Sequence, residues 1–240
     1  MAGMAGAVRK EKTMKRCCLG FAVLVICLFV AWSASAQMGM DLFKKPDIAT
    51  AFNPVVGKGA QYLSTTDAKG MAKTRTMEMY IVAKESVEGK DGYWMEFVMT
   101  DEKNQSSVGK ALFTKDDFQF HRMIIQAPGQ GAMEMPFNPN AARKEKMQDT
   151  MNEWHSVGSE SITVPAGTFS CEHWRNDKRN SDIWTSDKVT PFGMVKEANP
   201  NGGMVLTKVL TDAQERITGP VTKFDMQQMM QQMQQQHQKP

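Results

Sequence analysis

The sequence predicts a mainly β protein: a single curved antiparallel sheet, or half-barrel, carrying a short helix near 140–152 and a C-terminal helix near 225–238. Three observations carry this. From Gly59 onward the chain falls into short runs with side chains alternating between apolar and mixed sets. Those runs are divided by Gly, Asp, Asn and Pro clusters. Alternation with period two, closed off by such turn residues, is the pattern of half-buried antiparallel strands. Two short segments break the pattern with helical composition or spacing instead.

The first run, Gly59–Thr66, ends at Asp67-Ala68-Lys69-Gly70, and the second, Met71–Ser86, ends at Glu88-Gly89-Lys90-Asp91-Gly92. Tyr93–Thr100 alternates most clearly, with Tyr93, Met95, Phe97 and Met99 on one side and Trp94, Glu96, Val98 and Thr100 on the other. Val108–Thr114 and Phe118–Ala127 follow, joined through Asp116-Asp117. Pro128-Gly129-Gln130-Gly131 then breaks the chain. Asn140–Asn152 is rich in Ala, Lys, Glu, Met and Gln, which favours a helix with Asn140 as its cap. Strand texture resumes over Trp154–Val164, Thr168–Asn176, Ser181–Ser186, Phe192–Ala198, Met204–Asp212 and Ile217–Phe224. Turn signals every dozen residues or so suggest a meander in one sheet.

The two ends differ from this middle. Residues 1–36 read as a cleavable signal peptide. Arg9, Lys10, Lys12, Lys15 and Arg16 precede an uncharged apolar run, Leu19–Ala31, and Ser33-Ala34-Ser35-Ala36 offers a small-x-small cleavage site before Gln37. The apolar run is shorter than the roughly 20 residues a spanning helix needs, so no transmembrane helix is expected once the signal is removed. Residues 37–58 read as a loose lead-in, residues 59–224 as one β half-barrel domain, and residues 225–240 as a helical tail. In that tail Met226, Met229, Met230 and Met233 fall at i, i+3, i+4 and i+7 among glutamines, one stripe on one face.

Export changes what the composition means. The whole chain has a formal net charge of +3. The signal region contributes five basic residues and one acid, so the exported part carries 3 − 4 = −1. The basic character that would suggest nucleic acid therefore leaves with the signal, and no basic stripe remains. Three of the four cysteines, Cys17, Cys18 and Cys27, leave too. Cys171 alone cannot form an internal disulfide, so a hydrophobic core must hold the domain.

Val164-Pro165-Ala166-Gly167-Thr168-Phe169-Ser170-Cys171-Glu172-His173-Trp174, then Ile183-Trp184-Thr185-Ser186 and Val189-Thr190-Pro191-Phe192-Gly193-Met194-Val195-Lys196, form a distinctive set. It resembles uncharacterised secreted bacterial proteins of the DUF4412 type, themselves similar to the outer-membrane lipoprotein carrier superfamily. Thr190 stands as an extra residue between Val189 and Pro191. The resemblance implies a half-barrel whose concave face holds acyl chains or another apolar ligand; it supplies no catalytic residues. The same residues also read directly as a β-hairpin and its corner, with Pro165 and Gly167 shaping the turn and Trp174 and Trp184 on neighbouring strands.

Methionine is the compositional anomaly, with 21 in the chain. Met38/Met40, Met77/Met79 and Met133/Met135 are spaced as Met-x-Met. Thioethers suit Cu(I), but residues two apart in a strand share a face, so packing in an apolar interior explains Met77 and Met79 equally. Cys171 and His173 also share a strand face, and with His121 or His155 they would make a metal site or a nucleophilic pair; Phe169 on that face argues for an interior position instead. No nucleophile elbow, phosphate loop or Ca²⁺ loop is present.

These features point to a non-enzymatic exported binding or carrier-like protein with no cofactor and no metal. An apolar ligand, a lipid for example, would lie against Tyr93, Met95, Phe97, Met77, Met79, Phe118, Phe120 and Trp184. Two other readings stand beside it: an envelope interaction module that docks a protein partner through the tail methionines, and a copper-handling protein.

Overall fold

A computed structural model describes residues 51–68, 71–136 and 153–224. The expected helices near 140–152 and 225–238, the signal region and the tail methionines lie outside the described residues. Within them the chain forms one open, curved, twelve-stranded sheet.

The strands are β1 (Gly59–Ala68), β2 (Met71–Val87), β3 (Lys90–Thr100), β4 (Ser106–Thr114), β5 (Phe120–Gln126), β6 (Ala132–Met135), β7 (Trp154–Val164), β8 (Gly167–Asn176), β9 (Ser181–Thr185), β10 (Met194–Asn199), β11 (Gly202–Leu210) and β12 (Val221–Lys223). Their spatial order is β12-β6-β5-β4-β3-β2-β1-β11-β10-β9-β8-β7. Two meanders, β1 to β6 and β7 to β11, are thus fused where β1 pairs antiparallel with β11. The single parallel pair among the described strands is β12 on β6.

Two expectations along the chain are corrected. The segment after Pro128-Gly129 was expected to be broken, yet Ala132–Met135 pairs with β5 through Met123↔Met135 and Ile125↔Met133. Four residues are too few for alternation to be visible. Conversely, Ile217–Phe224 is not one strand. Only Val221–Lys223 pairs, and the preceding residues cross the sheet as an irregular strap. Ile217 is buried there because it caps the sheet from above, not because it belongs to it.

The register decides which side chains meet. Met79 stands opposite Phe97, Ile81 opposite Met95, and Tyr93 opposite Phe113. These residues share one face, called here the aromatic face. Their neighbours Tyr80, Glu96, Trp94 and Leu112 share the other. A strand buried on one side only would alternate apolar and polar. In β3, Trp94, Met95, Glu96 and Val98 are all buried, so the middle of the sheet is covered on both faces.

Each face has its own cover. On the aromatic face the Phe52 ring packs against Tyr93 and Phe113, and residues 56–58 follow it into the plane of the sheet beside β2. Val56 bridges Ile81 in parallel, and the Gly57 N–H donates to the Ile81 carbonyl at 2.8 Å. On the opposite face, Tyr80, Trp94, Val98, Val108, Leu112, Ile124 and Ala132 form a cluster closed by Ile217 from the strap. Burying each of the aliphatic side chains larger than alanine in this cluster contributes about 1.5–3 kcal/mol.

Candidate functional site

Alternation in β3 and β4 places Tyr93, Met95, Phe97 and Phe113 on the aromatic face. A register shift between Leu112 and Phe113 brings Phe120 of β5 opposite Phe113, their centroids 5.4 Å apart. Phe118, which precedes β5 with φ 47°, lays its ring flat on Phe113 at 4.6 Å and an interplanar angle of 5°. Two rings then arrive from outside the sheet. Phe52 meets Phe118 at 5.0 Å and Phe192 at 5.4 Å, and stands edge-on to Tyr93 at 6.4 Å. Phe192 also meets Phe118 edge-on at 5.5 Å. These separations and tilts are those that favour aromatic pairs.

Backbone bonds hold the two outside rings in place. The Asn53 N–H donates to the Pro191 carbonyl at 2.8 Å, tying the two segments to each other. The Phe192 turn is closed by Ser186 N–H to the Gly193 carbonyl at 2.7 Å and by Gly193 N–H to the Val189 carbonyl at 2.8 Å. The Thr190–Pro191 peptide is cis. Beneath this turn the fully buried Tyr62 donates its hydroxyl to the Met194 carbonyl at 3.1 Å. Burial pushes that hydroxyl far above the ordinary phenol range, so it acts only as a neutral donor.

The eight residues expected to touch a ligand are not equivalent. Met79 and Met95 are 1 % and 0 % exposed, at the floor of the core. Met77, Tyr93, Phe97, Phe118 and Phe120 are half-buried on the same face. Trp184 is elsewhere. It stands opposite Lys196, which stands opposite Val205, whereas Met77 stands opposite Tyr62 and hence Leu206. Val205 and Leu206 are consecutive in one strand, so Trp184 and Met77 are on opposite faces. Phe52, Phe113 and Phe192 complete the cluster but were not singled out by sequence. Phe113 follows the alternation of β4 and could have been found; nothing in residues 37–58 distinguished Phe52.

Trp184 instead belongs to a polar clasp built by the distinctive hairpin motif. His173 stacks on it at 4.5 Å, and Lys196 lies 4.7 Å from its centroid. The Trp184 indole N–H donates to Glu160 Oε1 at 2.6 Å. His173 Nε2 lies 2.8 Å from Asp182 Oδ1 and Nδ1 lies 3.1 Å from Glu160 Oε1. Arg175 also bonds Asp182, at 3.0 and 3.1 Å. The clasp joins β7, β8, β9 and β10 crosswise. Cys171 is buried beside it, and burial followed by the Glu160 charge raises its thiol above the ordinary range. A thiol so disposed is a poor nucleophile. Among the described residues no three His, Cys, Asp or Glu side chains are grouped to hold a metal ion, and no helix is long and apolar enough to cross a membrane.

No protein-family model matches the chain, and no curated protein matches it in sequence. Several solved structures are similar in part, two of them as follows. One is a Bacteroides fragilis protein described as exported, with a YmcC-like fold: 12% identity, TM-score 0.35, covering 66% of this chain and 97% of that one. The other is a Parabacteroides distasonis protein described as a lipoprotein: 17% identity, TM-score 0.32, covering 64% of this chain and 96% of that one.

Proposed function

We propose that the protein is a non-enzymatic exported binding protein that holds an apolar ligand at the aromatic face. The observation that supports this most is the origin of the rings. Tyr93, Phe113 and Phe120 are fixed by the sheet, while Phe52 and Phe192 reach the same cluster from segments outside it. Apolar sites of this kind are lined mainly by aromatic and aliphatic side chains. A ligand would enter between the sheet and the Phe52 and Phe192 segments, bordered by the half-buried Met77, Tyr93, Phe97, Phe118 and Phe120. Met79 and Met95 would form the floor, and Trp184 has no part in this site.

The signal-like residues 1–36 support export, with the envelope or the exterior as destination. Native mass spectrometry of protein purified from its own envelope tests the ligand, together with titration of a fluorescent fatty acid. A co-purifying lipid and saturable probe binding are expected. If no apolar species co-purifies and the probe does not bind, the reading is wrong.

A second reading has one observation of its own. β12 sets Val221–Lys223 beside β6 at the edge of the sheet, and the Phe224 N–H donates to the Glu134 carbonyl at 2.9 Å. Phe224, after which the methionine-bearing residues follow in sequence, therefore lies at a sheet edge, a position suited to docking a protein partner. Removing residues 225–240 separates the readings. Loss of partner with probe binding intact favours the docking module.

A further inference from the structure

The second cover, on the face opposite the aromatic cluster, has its own latch. Glu96 is fully buried, 0 % exposed, in the middle of β3. Its Oε2 accepts the Tyr80 hydroxyl at 3.0 Å and the Arg216 backbone N–H at 2.9 Å, and its Oε1 accepts the Ile217 N–H at 3.1 Å. A carboxylate in this position would be costly to bury without such donors. Burial, with the Glu96 charge next, drives the Tyr80 hydroxyl far above the ordinary phenol range, so the tyrosine remains a proton donor to it.

The segment that Glu96 grips, residues 211–220, is neither helix nor strand. Its Ala213 N–H donates to the Gly57 carbonyl at 2.8 Å, and its side chains reach outward in two ion pairs, Glu215 with Lys110 and Arg216 with Glu78. Ile217 is its one buried residue, and Ala213 is partly buried. The neighbouring sheet strands have hydrogen-bonded partners on both sides and large buried side chains. Segments with few buried contacts and little regular hydrogen bonding open with less free energy than the global unfolding reaction.

From this geometry we infer that residues 211–224 form a strap that opens as a unit, with Glu96 as its latch. Opening withdraws Ile217 from the cluster of Tyr80, Trp94, Val98, Val108, Leu112, Ile124 and Ala132. It breaks the Glu215–Lys110 pair, and it lifts β12 from the four-residue β6. The strap lies on the other face from the aromatic cluster, so the inference is independent of the ligand reading. Glu96 acts here as a positioning residue.

Hydrogen exchange read by mass spectrometry on the full exported chain tests it. Amides of 211–224 are expected to exchange on the order of 100-fold or more faster than those of β3 and β4. Glu96→Gln retains one acceptor oxygen but presents an amide donor on the other side; it should accelerate exchange in 211–224 while β3 and β4 keep their protection. A second variant, Glu215→Ala with Arg216→Ala, leaves Glu96 in place and should accelerate the same peptide to a smaller extent. The inference is overturned if 211–224 is as protected as β3 in the wild type. It is equally overturned if the double variant, or a folded Glu96→Gln protein, speeds exchange uniformly over strap and sheet.

Discussion

Replacing Phe52 by alanine probes the aromatic face most directly. The ring is 3 % exposed and lies within 6.4 Å of Tyr93, Phe113, Phe118 and Phe192, centroid to centroid. Loss of a buried phenylalanine costs about 3–5 kcal/mol, from transfer and from the cavity left behind. Each aromatic pair contributes about 0.5–1.5 kcal/mol beyond buried area, and four pairs place this site toward the upper part of that range. Domains have about 5–15 kcal/mol of stability in total, so the variant should fold but be markedly weakened. At a urea slope near 2 kcal/mol/M the midpoint should fall by about 1.5–2.5 M with the slope unchanged. In the same protein the vacated space should let a fluorescent fatty acid bind at least as tightly as to the wild type. A midpoint shift under about 0.5 M would show that Phe52 does not close the cluster. Abolished probe binding in a folded variant would make Phe52 part of the ligand wall and refute the expectation that its removal opens space for the ligand.

Three further outcomes are expected. Trp184→Phe keeps an aromatic ring between His173 and Lys196 but removes the indole donor to Glu160, and should cost about 1 kcal/mol in denaturant titration without altering probe binding, because Trp184 faces away from the site. Asp117 is held near a pKa of about 2, first by hydrogen bonding from Lys90 and then by the Thr114 hydroxyl; its folded value lies below the unfolded value of about 3.9, so its contribution is present above that value and is lost as pH falls toward 2. The side chain is 40% exposed, so solvent screening limits the effect to about 1 kcal/mol or less, and Asp117→Asn should remove that slice of acid sensitivity in a stability–pH profile. Gly202→Ala should destabilise by about 1–3 kcal/mol in thermal melts, because φ is +139° and an added Cβ would press on the Thr65 carbonyl of the paired strand.

Much of the sheet was legible because turn chemistry and alternation agree. Tyr93–Thr100 lies within the longer β3 because it is bounded by residues that favour turns and filled with residues that favour strands, and Trp154–Val164 coincides with β7, ended by Pro165-Ala166-Gly167. What the pattern could not carry is anything fixed by a distant partner. β6 exists because β5 offers it an edge, and Ile217 is buried because Glu96, 121 residues away in sequence, accepts its amide. The face of Trp184 was hidden for another reason. Alternation gives the face within one strand, but relating β9 to β3 requires the register through β10, β11, β1 and β2, including the shifts at Gln61/Tyr62, Ile81/Ala83 and Met194/Lys196.

The same registers explain why this sheet needs covers at all. β3 presents Tyr93, Met95 and Phe97 to one face and Trp94 and Val98 to the other, so neither face can be left to water. A second sheet or a layer of helices would meet that need with many contacts. Here, among the described residues, single segments meet much of it. Phe52 with the Phe192 turn lies on one side and Ile217 with its Glu96 latch on the other. A cover anchored by one or two large side chains and a few hydrogen bonds separates from a sheet more readily than the sheet comes apart. Opening either cover presents apolar surface while the β ladder persists. If the aromatic face holds a ligand as proposed, substitutions at Phe52 and Phe192 should alter ligand exchange before they alter the sheet, while those at Ile217 and Glu96 should alter opening of the strap.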